Sequence, residues 1–447
     1  MIVLIPNCGF LSETSRMIAI ARALQARGVG VSVASHGGPY AHLLDEAGIV
    51  WKRLEPMMTE AEHRAFLDAV LSIGVDDRPF YDDAFMRAAV QAEVEHFREV
   101  GAKLAVIGFN LTTYFSSRVA GIPLAASHGG SFLPPVLERG LCPLPVNPTK
   151  PGLARLPKVV QRWLVHNAPF LLAGPTRHLN RLAKELGVPK LPCFLALMCA
   201  DLTLVTEVPE VLGIPRDEMS AWRPRSRKLW PSTRMRYVGP LYAKLDRPVP
   251  ERVERFLAEP GKVVLVAPTS VSASFLRTLV PAVRAAGARV LLAATIHDVG
   301  DLAADGVVVA DVLPNHLVMP RVDAAVIMGG QGSVQTAMAS GTPFVGMPYH
   351  GEQELNVALA ERKGMAIRIA PKQAGADVMT SSVRRLLDEP AFRENAARMR
   401  ELYADTDGAA GAADAIIDFV GASARRCVDG QRQLAVVAVA THPASHR

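Results

Sequence analysis

The sequence is poor in several residue types that define other classes of protein. Its five cysteines form no Cys-x-x-Cys pair, which argues against a zinc site or a disulfide scaffold and favours a reducing compartment. Aromatic residues make up 6% of the chain and the formal net charge is +6, so neither stacking platforms nor a basic surface indicates a nucleic-acid partner. No apolar run reaches the roughly 18 to 20 residues of a membrane helix. We expect a soluble, cytoplasmic protein whose apolar N-terminus, MIVLIPNCGF, is a first strand and not a signal peptide.

The order of apolar runs indicates two domains of the same class. A chain of 447 residues that is 49% hydrophobic is too long for one core of ordinary size. Short β-branched runs alternate with helical patterns from residue 2 and again from about Lys262, which is typical of parallel sheets covered by helices. The fold class is therefore predicted to be α/β, with two Rossmann-like doubly wound domains in tandem. The runs are IVLIP, VGVSVAS, LAVIGF and IPLAAS in the first series, then KVVLVAP, RVLLAAT, GVVVADV, AAVIM, PFVGMP and MAIRI.

The domain boundary is predicted from composition. Residues 220–254 are rich in proline and arginine and lack the period of a helix or a strand, which places the boundary near Gly239 and Pro240. The predicted segments are an N-terminal domain at 1–241, a linker at 242–258, a C-terminal domain at 259–424 and a tail of unassigned role at 425–447.

A basic insert interrupts the first domain. Residues 148–192 carry eight Lys or Arg and one acid, and LPKVVQRWLVH within them has apolar residues at helical spacing. Two interpretations stay open: an amphipathic basic helix placed over the domain, or a solvated helix face. As a covering helix, it is favoured as a lid over a small molecule rather than as a contact with a membrane surface, because Trp163 is its only aromatic anchor.

The stretch VIMGGQGSVQTAMASGTP, residues 326–343, is typical of an anion-binding turn. An apolar strand runs into glycines, and a helix is predicted to begin near Ser333. The free N–H groups and the dipole of its first turn favour a phosphate, and the glycines let the backbone approach it. Taken alone, the same pattern also serves packing in many α/β proteins.

A second polar segment, HGEQELN, follows the next strand. It places Glu352, Gln353 and Asn356 at the start of a helix, one strand along from the glycine turn, where α/β sheets bind ligands. The alternatives are a helix N-terminal charge for Glu352 and a surface polar residue for Asn356. Together the two segments predict a pocket for a phosphate joined to a group rich in hydroxyls.

These segments carry a resemblance to a known family. Residues 311–358, DVLPNHLVMPRVDAAVIMGGQGSVQTAMASGTPFVGMPYHGEQELNVA, resemble the signature of GT-B glycosyltransferases of the UDP-glycosyltransferase superfamily (family 1). MRYVGPLY is similar to the segment that closes the family's N-terminal domain, and SETSRMIAIARAL resembles a motif that follows the first strand in related GT-B enzymes. The positions matching in register are Pro314, the loop 329–333, Gly341, Pro343, Pro348 and Gln353.

The resemblance implies a reaction and its participants. A sugar would pass, with inversion and without a metal or other cofactor, from a UDP- or dTDP-linked donor in the C-terminal domain to a hydroxyl or amine of a small-molecule acceptor, a natural product, in the N-terminal domain. The loop would take the diphosphate, Glu352 and Gln353 would bind sugar hydroxyls, and Leu313 to His316 would lie near the base. The implied donor-binding residues are Thr269, Ser270, Leu313, His316, Met328, Gly329, Gly330, Gln331, Gly332, Ser333, Glu352 and Gln353.

Three donor positions depart from the family's pattern. The loop histidine is Met328 here, the glutamate that binds the ribose is Thr336, and the sugar-binding aspartate is Glu352. Loss of a histidine donor to phosphate would cost about 1.5 to 3 kcal/mol if nothing replaced it. The missing ribose carboxylate fits a dTDP-sugar slightly better than a UDP-sugar.

The position of the catalytic base also departs from the family. Aligned on AIARAL, the family's histidine falls on Glu13; aligned on the preceding glycine, it falls on Phe10, which cannot take a proton and would contact the acceptor instead. We predict that Glu13 is the general base, provided that the cleft raises its pKa. The alternative is a capping box in which Ser12 or Thr14 starts the helix.

Other polar residues are predicted at the acceptor side. No aspartate partner for a base is visible in LAVIGFNLTTYF, so Asn110, Thr112 and Thr113 are predicted to contact the acceptor or Glu13. His128 is the alternative base or an acceptor ligand, and Gly129 after it allows close approach of the acceptor. A histidine beside a glycine pair can also be an ordinary loop residue.

Two other functions remain as alternatives. The first is a sugar-nucleotide epimerase or hydrolase on the same fold, which would need no acceptor pocket. The second is a binding or helper protein of the same fold, because the two expected histidines are missing. The oligomeric state, monomer or homodimer, stays open.

Overall fold

The computed structural model describes residues 1–73, 78–146, 148, 151–225, 229–268, 271–294 and 298–422. Within them the chain forms two sheets, one of seven and one of six strands. Every pairing within the two sheets is parallel, as the alternation of strands and helices predicted. The predicted tail at 425–447 lies outside the described residues.

The N-terminal sheet carries the first domain. Its strands are β1 (Ile2–Leu4), β2 (Val31–Ser35), β3 (Trp51–Arg53), β4 (Leu104–Ile107), β5 (Leu124–His128), β6 (Leu202–Val205) and β7 (Arg234–Tyr237). They lie in the order β3-β2-β1-β4-β5-β6-β7. The helices are α1 (Leu11–Gln25), α2 (His42–Glu46), α3 (Glu60–Leu71), α4 (Asp83–Glu99), α5 (Thr112–Ala120), α6 (Pro134–Glu138), α7 (Lys158–Leu171), α8 (Arg177–Glu185), α9 (Pro209–Leu212) and α10 (Arg216–Ala221).

The C-terminal sheet repeats this plan. Its strands are β8 (Val263–Val266), β9 (Arg289–Ala293), β10 (Val307–Ala310), β11 (Ala324–Ile327), β12 (Phe344–Gly346) and β13 (Ala366–Arg368). Their order is β10-β9-β8-β11-β12-β13, the order of a doubly wound dinucleotide-binding sheet. The helices are α11 (Glu251–Ala258), α12 (Ala273–Ala285), α13 (Asn315–Val318), α14 (Gln331–Ser340), α15 (Gly351–Arg362), α16 (Ala376–Asp388) and α17 (Pro390–Ala404).

Both sheets have a switch point where the strand order reverses. In the N-terminal sheet it lies between β1 and β4, and in the C-terminal sheet between β8 and β11. The crevice outside the carboxyl ends of such strands is where α/β sheets hold ligands. The segment that leaves β1 carries Glu13, and the segment that leaves β11 is the glycine turn. Both are predicted from the sequence to be functional, and topology alone brings them to binding positions.

The last described helix returns to the first domain. Residues 408–422 are helical, and Ala412 and Ile416 are buried in the same core cluster as Leu4. A Cβ at Gly411 would lie 2.2 Å from the carbonyl oxygen of Val238, so only glycine permits this packing. The range predicted for the C-terminal domain, 259–424, therefore contains a helix that packs on the other domain; sequence periodicity does not show which sheet a helix covers.

The basic insert contains a surface helix, α7. Its apolar residues Val159, Trp163 and Leu171 are 79%, 54% and 55% exposed, and its predicted role as a lid stays a prediction. No helix among the described residues is long and apolar enough to cross a membrane.

Candidate active site

The first helix places Glu13 beside the turn that follows β1. Helix α1 begins at Leu11, earlier than predicted, and its N-cap residue Phe10 makes no side-chain capping bond. Glu13 Oε1 instead accepts a hydrogen bond of 3.0 Å from the backbone N–H of Asn7, in the turn after β1. The hydroxyl of Thr14 donates to the carbonyl of Phe10. The alternative of a capping box is therefore wrong, and Glu13 is held by the turn that precedes the helix.

Burial changes the acidity of this carboxyl. Glu13 is 1% exposed, and its Oε2 has no hydrogen-bond partner. Burial raises the pKa of Glu13 to about 6, while the N–H of Asn7 and the charge of Arg16 act in the opposite direction. A Cβ at Gly108, after β4, would lie 2.8 Å from Glu13 Cγ, so glycine there makes room for the carboxyl. A pKa near the working pH with a free oxygen is what a general base needs.

His128, the alternative base, ends β5 and is 9% exposed, with Nε2 unpartnered. Burial, reinforced by the charge of Arg16, lowers the pKa of His128 to about 3. An imidazole with so low a pKa is a weak base. Of the two candidates, the electrostatics favour Glu13.

The polar residues after β4 have other partners than predicted. The side-chain amide of Asn110 donates to the carbonyl of Ile5 at 3.2 Å, and its oxygen accepts from the Thr112 N–H and hydroxyl. Thr112 also donates to buried Glu93. Among the described hydrogen bonds none joins these residues or Thr113 to Glu13. Asn110 and Thr112 fasten the start of α5 to the residue after β1 and to α4. Acceptor contact by Asn110, Thr112 and Thr113 stays a prediction.

The glycine loop has the geometry of an anion site. Gly329 adopts φ +100°, and a Cβ there would lie 2.4 Å from Val357 Cγ2, so only glycine fits. Helix α14 begins at Gln331, ahead of the predicted start at Ser333, and Gly330 is its N-cap without side-chain capping. The N–H groups of Gln331, Gly332 and Ser333 thus form a first turn without intrahelical acceptors, which favours an anion.

The side chains at two of the positions that depart from the family pattern have partners within their own domain. Met328 is 4% exposed and belongs to the core of the C-terminal domain with Val326 and Met347, so its side chain supplies packing. The Thr336 hydroxyl donates to the carbonyl of Gly332 at 2.7 Å. The loop therefore relies on backbone groups.

The polar segment after β12 lies beside the loop, as predicted. Strands β11 and β12 are paired, with Ile327 opposite Gly346. The amide of Asn356, which is 6% exposed, donates to the carbonyl of Gly329 at 3.1 Å and to Glu352 Oε1 at 3.2 Å. Asn356 is therefore not a surface residue: it ties the glycine loop to the carboxylate predicted to bind the sugar.

The remaining predicted donor residues differ in their surroundings. Gln353 is 9% exposed and accepts from the N–H of Tyr349 at 2.9 Å. Leu313 is 4% exposed and belongs to the core. His316 has an unpartnered Nδ1, and burial, followed by the charge of Lys244, lowers its pKa. Thr269 and Ser270 lie outside the described residues.

The two halves of the site meet through Gln331. Its Nε2 donates to the Thr206 hydroxyl at 2.7 Å, and its Oε1 accepts from the N–H of Gly129 at 3.1 Å and from Arg16 Nη1 at 2.9 Å. A further contact joins Ser131 of the first domain to Asn356 at 2.5 Å. The cleft is closed around the loop.

A buried acid beside this contact was missed from the sequence. Glu207, after β6, accepts from the Tyr403 hydroxyl at 2.5 Å, from the Val208 N–H at 3.0 Å and from Gln335 at 3.3 Å. Burial raises its pKa to about 7. Its side-chain partners, Tyr403 and Gln335, belong to the C-terminal domain and are distant in sequence, so no local signal could have found it. Among the described residues no cluster of His, Cys, Asp or Glu could hold a metal ion.

Comparison with known proteins agrees with this arrangement. The family model "Erythromycin biosynthesis protein CIII-like, C-terminal domain" matches residues 278–417. The chain is 28% identical, over 68% of its length and 71% of the relative's, to 4'-demethylrebeccamycin synthase of Lentzea aerocolonigenes. It is 24% identical, over 73% of its length and 72% of the relative's, to a PGL/p-HBAD biosynthesis glycosyltransferase of Mycobacterium tuberculosis.

Solved structures show the same fold. The spinosyn forosaminyltransferase SpnP matches with a TM-score of 0.64 and 15% identity, covering 94% of this chain and 99% of that one. The glycosyltransferase VinC in complex with dTDP matches with a TM-score of 0.63 and 17% identity, covering 94% and 100%. Two Rossmann-like domains around a closed cleft define a GT-B protein. The family model and the named relatives support a family 1 GT-B glycosyltransferase whose co-substrate is a nucleotide sugar.

Proposed function

We propose that this protein transfers a sugar, with inversion, from a nucleoside-diphosphate sugar to a hydroxyl or amine of a small natural product, with Glu13 as the general base. One observation carries the proposal: a buried carboxyl with an unpartnered oxygen lies on α1 directly after a residue that neighbours the first turn of α14. A Cβ at Gly332 would lie 3.6 Å from Ser12 Cβ, so the loop and the residue before Glu13 are neighbours.

The donor is assigned to the C-terminal half of the cleft. The first turn of α14 would hold the diphosphate, and Glu352 and Gln353 would bind sugar hydroxyls. A dTDP-linked sugar is favoured over a UDP-linked one, since Thr336 offers no carboxylate to a ribose and its hydroxyl is bonded to the helix backbone. The structural relative VinC binds dTDP, which supports the same choice.

The chemistry follows from this placement. Glu13 would take the proton of the acceptor hydroxyl while the oxygen of that hydroxyl attacks the anomeric carbon from the face opposite the diphosphate. The bond between that carbon and the diphosphate breaks as the new one forms, so the configuration inverts. The charge that develops on the diphosphate is stabilised by N–H groups already oriented in the loop, and closure of the cleft limits hydrolysis by water.

A cluster of aromatic rings lies beside the turns that hold Glu13, and we assign it to the acceptor side. Phe66 stacks on Tyr81 with ring centroids 4.9 Å apart and meets Phe10 edge-on at 5.7 Å. Phe109 lies 6.3 Å from the same ring. Phe10 and Phe109 are only partly buried and flank the turns that hold Glu13. This wall suits an apolar acceptor that presents one hydroxyl to the carboxyl.

The test is the variant Glu13→Gln, which keeps the size of the side chain and removes the base. We expect turnover to fall about 10²- to 10⁴-fold, with dTDP affinity within about threefold of the wild type by calorimetry. Ser12→Ala, the adjacent change, is the control and should retain turnover. Unchanged turnover in Glu13→Gln would remove Glu13 from the mechanism.

Wild-type protein that binds sugar nucleotides but transfers no sugar to any acceptor would favour the helper protein, and sugar release to water would favour the hydrolase.

A further inference from the structure

A cation reaches the donor loop from the opposite domain. Arg16 lies on α1 one turn after Glu13, is 8% exposed and has an unpartnered Nε. Its Nη1 donates to Gln331 Oε1 at 2.9 Å. Gln331 is the first residue of α14, so the guanidinium approaches the helix end assigned to the diphosphate.

This guanidinium lacks a counter-charge of its own. Among the described ion pairs of 4.0 Å or less none includes Arg16. Burial lowers its pKa, and the charges of Glu13 and Glu352, which act in the opposite direction, are felt at longer range. A buried charge without a paired partner is costly. Such a residue is expected where a ligand supplies the missing charge.

The position fits a phosphate better than a carboxylate of the protein. Arginine presents several N–H donors in a planar fork that matches phosphate oxygens. Two sources of positive potential meet at this point: the guanidinium, and the N-terminal end of α14 with the free N–H groups of its first turn. The side chain at position 328 contributes none, because Met328 is packed in the core.

We propose that Arg16 is a ligand of the donor's diphosphate. It exchanges its bond to Gln331 for phosphate oxygens and supplies, from the acceptor domain, the side-chain cation that the loop lacks. Because Arg16 and the loop belong to different domains, the contact also couples donor binding to closure of the cleft. This inference rests on the proposed function, since it takes the diphosphate to lie at the first turn of α14.

The experiment compares three ligands that differ only in phosphate: thymidine, dTMP and dTDP, titrated into the wild type and Arg16→Gln by calorimetry. We expect dTDP affinity to fall about ten- to a hundredfold, as for the loss of a hydrogen bond to a charged group, while thymidine affinity is unchanged. Arg16→Lys keeps a point charge but not the fork, so its dTDP affinity should lie between those of the wild type and Arg16→Gln. The lysine variant also replaces Arg16→Gln in the test if the glutamine variant does not fold.

The matched control is Arg22→Gln, on the same helix. Arg22 is exposed and pairs with Asp246 at 2.7 Å, so its loss removes the same charge without touching the cleft and should leave all three affinities unchanged. Equal losses for thymidine and dTDP would assign Arg16 a structural role only and overturn the inference. So would an unchanged dTDP affinity. A wild type that binds neither dTDP nor UDP would overturn the proposed function, and this inference with it.

Discussion

At and beside the switch point of the N-terminal sheet the groups assigned to the site are buried ionisable side chains, Glu13, Arg16 and His128. At the corresponding point of the C-terminal sheet they are backbone N–H groups after Gly329 and Gly330. The two sheets share one strand order at these points, so topology does not set the difference. Proton transfer needs a group that titrates near working pH, whereas anion binding needs donors that are oriented and fixed. A single side-chain substitution can therefore remove a functional group from the first site. The functional groups of the second site change only when the backbone moves.

The largest expected effect is the pH dependence of the side-chain half. Burial raises the pKa of Glu13 to about 6, and a protonated carboxyl cannot accept a proton. Below that pH, kcat/KM should fall about tenfold per unit, and above it the profile should level off. Initial rates between about pH 4.5 and 8 at saturating donor would measure it.

His128→Asn is the control for this profile. Because burial lowers the pKa of His128 to about 3, its titration lies outside the range, and the variant should keep the acid limb. Loss of the limb in His128→Asn would move the base to the imidazole and contradict the assignment to Glu13.

The backbone half is tested by a pair of adjacent glycines. Gly329→Ala introduces a Cβ at φ +100°, 2.4 Å from Val357 Cγ2, which should cost about 1 to 3 kcal/mol of unfolding free energy. It should also weaken dTDP binding by displacing the first turn of α14. Urea denaturation and calorimetry would measure the two effects.

Gly330→Ala is the matched control, because Gly330 has φ −57° and no heavy atom within 4 Å of a Cβ. Its unfolding free energy should stay within about 0.5 kcal/mol of the wild type. Equal destabilisation of the two variants would show that the loop does not depend on the left-handed backbone of Gly329.

Sequence alone predicted the scaffold well and the site in part. Every strand of the second sheet was predicted, because parallel strands that are covered on both faces are continuous apolar runs. Strand β3 and helices α3 and α4 carried no prediction. A local signal for α3 was present, since Thr59 and Glu62 form the capping box that starts it.

The contacts that organise the site could not be predicted in the same way. Gln331 and Thr206 are 125 residues apart in the chain, and neither has a local pattern that names the other. The partners of Arg16 and Glu207 likewise come from the packing of one domain on the other. Periodicity fixes which face of an element is buried, but not which polar group will lie opposite it across a cleft.

The smallest expected effect on turnover is that of Glu207→Gln. Glu207 bonds residues of both domains but is not among the residues predicted to bind the donor or the acceptor. Burial raises its pKa from 4.5 to about 7, so the folded protein binds this proton more tightly than the unfolded chain. The stability that the protonated carboxyl contributes is complete below about pH 4.5 and is lost as the pH rises to about 7. Glu207→Gln cannot ionise, and its amide oxygen can still accept from Tyr403 and Val208. The decline of unfolding free energy between pH 4.5 and 7 should therefore be smaller in the variant than in the wild type, with turnover at pH 7.5 within about threefold.

Because Glu13 titrates in the same window, Glu13→Gln and the double variant must be measured alongside. A decline that Glu207→Gln leaves intact and Glu13→Gln removes would show that the contact between the domains is insensitive to pH, and that only the side-chain half of the cleft titrates.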